Sequence, residues 1–332
     1  MRERGRHGRG TATPPVRRIA VFLQNRARLG TLICHLPLIS SLKRHYAGAQ
    51  LTVVAPFAEA ELLVGEGLAD ARCAWPRGAW AQWRLVRRLA PDLALTLRPA
   101  SMFIDLLVGT CGAPIRLGFA TAISRRLFTA VAPRDLTIYR PLNYLRLVEP
   151  IGVPPLLSAH LEMLAHRAPP SIDPRGEHVC LMPGGAAPFK LWGIDNFLAL
   201  AARLRADWPA ARFVFVLGPG ERALRPAIAA SPLAAACTVL DTPALDVLAQ
   251  AVSASRVTIA HDCGPSHVAQ LLGVPYVGLF ADHKGQASRI AAQWFLPRPR
   301  ARWVSGPAHG PITALPVAQV HAAVRAVLVD AA

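Results

Sequence analysis

One pattern occurs twice along this chain and leaves few folds open: short apolar, β-rich runs alternate with segments of helical periodicity. RIAVFLQ (Arg18–Gln24) reads as a buried strand. The polar loop NRARLG leads into TLICHLPLISSLKRHY (Thr31–Tyr46), where Leu32, Leu36, Ile39 and Leu42 fall near one helical face. Pro37 leaves two readings: the helix kinks there, or its regular part begins there. QLTVVAP from Gln50, AEAELLVGEGL from Ala58, ADARCAW from Ala69, WAQWRLVRRLA from Trp80 and DLALTL from Asp92 continue the alternation. After a proline-rich stretch, Ala165–Gly176, it restarts with EHVCLMPGG from Glu177. A helix at Asn196–Trp208, a strand at Arg212–Gly218, a helix at Leu245–Ser255, a strand at Arg256–Asp262, a helix from His267 and a strand at Pro275–Phe280 follow. Strands and helices at this spacing specify parallel sheets with helices on both faces. The expected architecture is α/β: two doubly wound, Rossmann-like domains over residues 18–168 and 169–332, after a basic tail (1–17) expected to be disordered. Open α/β sheets bind ligands at the carboxyl ends of their strands, so two in series are expected to face each other across a cleft.

Composition narrows the class. At 52% hydrophobic and 17% charged residues, the chain can bury large cores, which excludes wholesale disorder. Its 37 basic against 20 acidic residues give +17, a balance that favours anionic partners. Only Lys43, Lys190 and Lys284 are lysines; the remaining basic charge is arginine, a usage that a GC-rich genome also produces. Nucleic-acid binding would rest on charge alone, with no motif, and is not expected. The six cysteines are scattered without a CxxC, which argues against a disulfide framework or zinc site and for a reducing cytoplasm. No apolar run of membrane-spanning length is present. The Arg-rich tail reads first as solvated and functionless; its surplus positive charge also offers a peripheral contact with anionic lipid at the inner membrane.

Three loops carry candidate chemistry. In PGGAAPFKLW (Pro183–Trp192), Gly184 and Gly185 allow close approach of a ligand, Ala186 does not obstruct it, and Lys190 offers a charge suited to phosphate; the plain alternative is a βα turn with a surface lysine. In HDCGPSHVAQLLG (His261–Gly273), which opens a helix, Asp262 either caps the turn or bonds a ligand hydroxyl. Gly264 relieves that turn, and His267 either donates to a phosphate or packs. LGPGERA (Leu217–Ala223) lacks the third glycine of a dinucleotide fingerprint; its Glu221 either accepts from ribose hydroxyls or is an exposed helix-start residue.

Together, PGGAAPFKLW, LGPGER and HDCGPSHVAQLLGVPYVGLF resemble the ADP-heptose:lipopolysaccharide heptosyltransferases, glycosyltransferase family 9, in order and spacing. The opening segment from Ile19 and the segment DLALTLRPASMFIDLLVGTCGAPIRLGF resemble the same family, so the likeness runs from Arg18 to about Phe280. The resemblance implies a GT-B fold, with the nucleotide sugar on the C-terminal domain and the acceptor on the N-terminal one. It implies an inverting, metal-free transfer without cofactor, in which the nucleotide sugar, ADP-heptose, is a substrate and the acceptor is a lipopolysaccharide core or another surface glycolipid. Carried over, the diphosphate-contacting positions fall on Gly185, Ala186, Lys190, Cys263 and Gly264; the first two can offer only backbone N–H groups here. Arg98, after DLALTL, is a candidate acceptor contact or a framework arginine.

One departure concerns the catalytic base. The family pattern reads Gly-Asp at the start of the first helix, whereas this chain reads Gly30-Thr31. Threonine cannot serve as a carboxylate base, and Thr31 has a helix N-cap role open to it. His35 lies four residues on and is the expected substitute, since i,i+4 residues share a helical face and imidazole has a suitable intrinsic pKa; the alternative is a histidine that packs. Three functions follow: a cytoplasmic glycosyltransferase, a catalytically impaired binder of nucleotide sugar, or a nicotinamide-dependent dehydrogenase. The missing G-x-G-x-x-G after the first strand counts against the last.

Overall fold

The computed structural model describes residues 15–24, 28–99, 101–167 and 178–329. Most of the expected basic tail, part of the NRARLG loop and the linker beyond Arg167 lie outside the described residues. In chain order the first elements are β1 (Arg18–Phe22), α1 (Leu29–His45), β2 (Gln50–Ala55), α2 (Leu62–Gly65), β3 (Ala71–Ala74), α3 (Ala79–Leu89) and β4 (Leu93–Thr96). Then come α4 (Met102–Gly109), β5 (Ile115–Phe119), α5 (Ser124–Leu127), β6 (Ala130–Ala132), α6 (Arg140–Leu145) and α7 (Ala159–Arg167). The remainder comprises β7 (His178–Met182), α8 (Ile194–Asp207), β8 (Arg212–Leu217), α9 (Arg225–Ala229), β9 (Cys237–Asp241) and α10 (Leu245–Ser253). It closes with β10 (Ser255–His261), α11 (Ser266–Leu272), β11 (Tyr276–Phe280), α12 (Ala287–Trp294), β12 (Ala301–Ser305) and α13 (Val317–Val329).

The strands form two six-stranded parallel sheets, ordered β3-β2-β1-β4-β5-β6 and β12-β11-β10-β7-β8-β9. The topology is the same in both: each sheet grows outward in two directions from its first strand, β1 or β7. The switch point of the second sheet therefore lies between β7 and β10, and the loops leaving those two strands flank the crevice that such a reversal opens. This explains why the glycine-rich loop after β7 and the HDCG loop after β10 meet although they lie far apart in sequence.

The chain divides into two compact units. One holds β1 and the segment Lys43–Pro133; the other holds α1 up to Leu42 and everything from Arg134 onward. The division differs from a single boundary at 168/169, because residues 134–167 and most of α1 group with the second sheet. In the first unit, Phe22, Val54, Ala94, Ile104, Val108 and Phe128 join one buried cluster, and α3 contributes Val86. Asp92 accepts from the N–H groups of Arg17 and Arg18 at 2.9 and 2.8 Å, fixing the start of β1. In the second unit, Trp192, Phe197, Phe213 and Phe215 pack with Val320, Val324 and Val327 of α13.

Two local expectations change. The helix α1 begins at Leu29 and runs through Pro37, so its regular part does not begin at the proline. Thr31 sits in the first turn, with its N–H donating to the Arg28 carbonyl at 2.9 Å; it is inside the helix and is not the N-cap.

Candidate functional site

A cleft of about 620 Å³ opens in the second unit, and every residue lining it belongs to that unit. The loop after β7 supplies Gly184, Gly185, Ala186 and Lys190, and the turn after β8 supplies Gly218 and Glu221. The loop after β10 supplies Asp262, Cys263, Gly264 and, on α11, His267. Arg28, Leu29, Gly30 and Thr31 at the start of α1 close the opposite wall, and Trp294 of α12 completes it. The walls meet backbone to backbone. A Cβ at Gly264 would stand 2.9 Å from the Gly30 nitrogen, and one at Gly30 would stand 3.0 Å from the Gly264 Cα. Any side chain at either position would force these segments apart, so this close approach requires glycine on both.

The polar groups of the loops hold one another. The Lys190 ammonium lies 2.5 Å from an Asp262 carboxylate oxygen, joining residues 72 positions apart. Asp262 thus serves as the lysine's counter-ion, and α11 has no side-chain cap, so the capping alternative does not hold. The Glu221 carboxylate accepts from the Gly218 N–H at 3.0 Å and packs over Gly184, where a Cβ would stand 2.7 Å from its carboxyl carbon.

His261, the last residue of β10, is fully buried. Its Nε2 accepts from the Trp192 N–H at 2.8 Å, which leaves the ring hydrogen on Nδ1, 3.2 Å from the Gly184 carbonyl. One imidazole therefore ties both ends of the loop after β7 to the end of β10. Burial lowers its pKa to about 4, so it keeps the neutral form this bridge requires.

His267 is oriented in the same way. The Tyr139 hydroxyl lies 2.8 Å from Nδ1, and burial raises the tyrosine's pKa well above its usual value, so the hydroxyl stays protonated. The Gln270 amide nitrogen, which can only donate, lies 3.4 Å from the same Nδ1, which assigns Nδ1 as acceptor and the ring hydrogen to Nε2. Burial lowers the His267 pKa to about 4, which makes it a neutral N–H donor rather than a cation. Arg140 stacks over Trp294 at 4.1 Å and adds positive charge nearby. Cys263, also on the cleft wall, has its thiol pushed up to about 12 by burial and is not a thiolate.

The structure thus gathers Gly184, Gly185, Ala186, Lys190, Glu221, Asp262, Cys263, Gly264 and His267 around one cleft, and brings Thr31 to its far wall. It does not bring His35 there. His35 is 0% exposed, both ring nitrogens lack a hydrogen-bond partner, and its ring sits edge-on to Tyr144 at 4.9 Å. Burial, aided by Arg140, lowers its pKa to about 3. A base of that strength sealed from solvent cannot take a substrate proton near neutral pH. The i,i+4 rule placed it on the right face of α1 but said nothing of depth.

Arg98 lies in the other unit and is also buried. Its Nε donates to the Leu23 carbonyl at 2.8 Å, its guanidinium rests over Trp75, and burial lowers its pKa to about 10. The framework reading of Arg98 is the one the structure supports. Sequence reasoning assigned no role to His261, Trp192, Tyr139 or Trp294. His261 alone carried a signal, as a histidine at the end of an otherwise apolar buried strand. Among the described residues, no three His, Cys, Asp or Glu side chains group as metal ligands, and no helix is long and apolar enough to cross a membrane.

Residues 107–293, more than half of the chain, match the family described as glycosyltransferase family 9 (heptosyltransferase). The chain belongs to this family. It is therefore a glycosyltransferase, and its twin parallel sheets are those of the GT-B fold. Nothing matches it among curated protein sequences. Among solved structures it is similar to a family 9 glycosyltransferase from Veillonella parvula, with TM-score 0.67 and 18% identity over 95% of this chain and 98% of that one. It is similar to the ADP-heptose lps heptosyltransferase II of E. coli, with TM-score 0.66 and 19% identity over 94% and 98% of the two chains. The E. coli heptosyltransferase WaaC, solved with ADP, gives TM-score 0.66 and 14% identity over 91% and 98%. At these identities the structural likeness speaks for the fold; membership of family 9 rests on the matched residues.

Proposed function

We propose that this family 9 enzyme transfers a heptose from ADP-heptose to a lipopolysaccharide core or a related surface glycolipid, at the cytoplasmic face of the inner membrane. In the reaction, an acceptor hydroxyl oxygen attacks the anomeric carbon from the face opposite the diphosphate. The carbon–oxygen bond to the diphosphate breaks, configuration inverts, and nucleoside diphosphate leaves. The step needs positive charge or N–H donors on the leaving diphosphate and a base for the acceptor proton. The observation that carries the proposal is the convergence on one cleft of Lys190, His267 and the segment Gly185–Ala186. On donor binding Lys190 exchanges Asp262 for a phosphate oxygen, and no metal or cofactor takes part. The acceptor is assigned to the N-terminal unit. Incubation with ADP-heptose and with other nucleotide sugars, in the presence of a lipopolysaccharide-core acceptor, should release nucleoside diphosphate fastest from ADP-heptose. Equal or faster release from another nucleotide sugar would reassign the donor.

A second reading, a nucleotide-sugar binder with impaired transfer, is favoured by one specific feature. Thr31 stands where the family carries aspartate, His35 is sealed in the core, and the cleft's carboxylates, Glu221 and Asp262, are both engaged. Calorimetric binding of ADP-heptose without acceptor-dependent release of ADP would decide for it.

A further inference from the structure

The first unit carries an exposed face that contributes nothing to the lining of the cleft. Among the described residues, its exposed large hydrophobic side chains are Trp80 at 67%, Met102 at 66%, Phe103 at 45% and Leu106 at 49%. All four sit on α3 and α4, which pack against each other. Large apolar groups concentrated in this way mark a contact surface. The charge on the same face has one sign. Between Asp70 and Asp92 the sequence has five arginines, three tryptophans and no acidic residue. Arg72 is engaged by Glu61 and the Phe57 carbonyl, but Arg77, Arg84, Arg87 and Arg88 are exposed. On its inner side α3 is anchored by buried Val86, with Trp83, Leu85 and Leu89 half-buried against the core. On its outer side Trp80 stacks on Trp83 at 4.8 Å, and Arg87 lies over the Trp83 ring at 5.7 Å. A groove of about 610 Å³ runs beside Trp83, Arg84, Arg87 and Arg88.

We infer that the α3–α4 face docks on an anionic lipid bilayer, with its arginines at headgroup phosphates and Trp80, Met102, Phe103 and Leu106 at the polar–apolar boundary. Charge complementarity selects this occupant. A patch of one sign draws a surface of the other, and indole and aliphatic side chains gain from entering the boundary beneath that surface. The phosphates of a nucleic acid would satisfy the arginines but leave Met102 and Leu106 in water. Docking of this kind would meet a lipid-borne acceptor where it resides, and to that extent the inference rests on the proposed function.

The test is sedimentation of the full chain with vesicles of phosphatidylcholine alone and of phosphatidylcholine mixed with phosphatidylglycerol. The native chain should bind only the mixed vesicles and be released by salt. Reversing three charges at once (Arg84→Glu, Arg87→Glu, Arg88→Glu) should weaken binding by about 100-fold or more, since each basic residue near an anionic surface adds roughly fivefold. A Trp80→Ser, Met102→Ser, Phe103→Ser variant should weaken it by at least about 10-fold without altering its salt dependence. Equal binding to both vesicle types, binding to neither, or native-like binding of the charge-reversed chain would overturn the inference. So would charge-dependent binding to duplex DNA in place of vesicles, which would make the face a nucleic-acid surface. The reversed side chains are all exposed, so that variant folds even where the apolar one does not, and its ADP affinity should equal the native value. A native chain that docks on vesicles but binds no ADP would leave this inference standing and remove the proposed donor site.

Discussion

On the wall of the cleft built by the loops after β7, β8 and β10, polar side chains are tied down. Lys190 is held by Asp262, Glu221 by Gly218, His261 by Trp192 and Gly184, and His267 by Tyr139. On the wall built by α1, the family carboxylate is replaced by Thr31, and the nearby histidine is buried out of reach. In the proposed reaction, the grip on a nucleotide diphosphate would fall to the loop wall and the removal of an acceptor proton to the α1 wall. The loop wall is supported by several interlocked contacts, whereas the proposed base would hang on a single helix position. A chain can lose the second without disturbing the first.

The largest test of that contrast is Thr31→Asp. It restores a carboxylate in the first turn of α1, where the helix dipole favours it. If the missing base limits transfer, acceptor-dependent ADP release should rise by about 10²- to 10⁴-fold, the usual worth of general-base catalysis. No rise, with donor binding intact, would show that the native chain draws its base from elsewhere. Next in size is Lys190→Ala on the opposite wall. It removes a charge-assisted contact and leaves Asp262 uncompensated, so ADP affinity should drop about 10- to 100-fold, with partial recovery in Lys190→Arg. An unchanged titration would make Lys190 a bystander.

His261→Ala asks whether the loop wall depends on its internal ties. It leaves the Trp192 N–H and the Gly184 carbonyl without their partner, so the melting transition should fall by the equivalent of about 2–4 kcal/mol. Donor affinity should fall with it, by about 10-fold, although His261 does not line the cleft; His261→Gln, which can both donate and accept, should recover part of each. Loss of stability with full affinity would limit the residue to the core.

Acid should loosen both walls together. Burial holds His35 near 3 and His160, His261 and His267 near 4, all below the ordinary 6.5. Below pH 6.5 the unfolded chain takes up these protons before the folded one does. Stability is therefore complete above about pH 6.5 and declines as pH falls toward 4, by on the order of 1–3 kcal/mol per histidine. Denaturant midpoints at pH 7.5 and pH 5 measure this, and equal midpoints would contradict the burial argument. The smallest effect belongs to His35→Leu. Its ring nitrogens make no hydrogen bond, so an apolar replacement of similar size should leave transfer within about twofold and stability unchanged or higher. A collapse of activity in that variant would return His35 to the chemistry.

Hydrophobic periodicity and loop glycines are local properties, and what they encode was legible without coordinates. The β1–β4 alternation, strands β7, β8, β10 and β11, the two parallel sheets and the three loops that line the cleft follow from residues close together in sequence. The strands that went unread, β6, β9 and β12, all sit at sheet edges, and α13 went unread although its valines pack in the core. Strand β9 (CTVLD) is half-exposed throughout, and β12 is an edge strand with an apolar run too short to announce itself. Beyond these, tertiary structure decided what a one-dimensional pattern cannot hold. It set the meeting of Gly30 with Gly264, the pairing of Lys190 with Asp262, and the alignment of His267 by a tyrosine 128 positions away. Thr31 and His35 show the limit most clearly. A helix of 3.6 residues per turn puts both on one face, but whether a side chain on that face meets water or the core depends on what packs over the next turn. Tyr144 packs there, and it separates the residue that reaches the cleft from the one that does not.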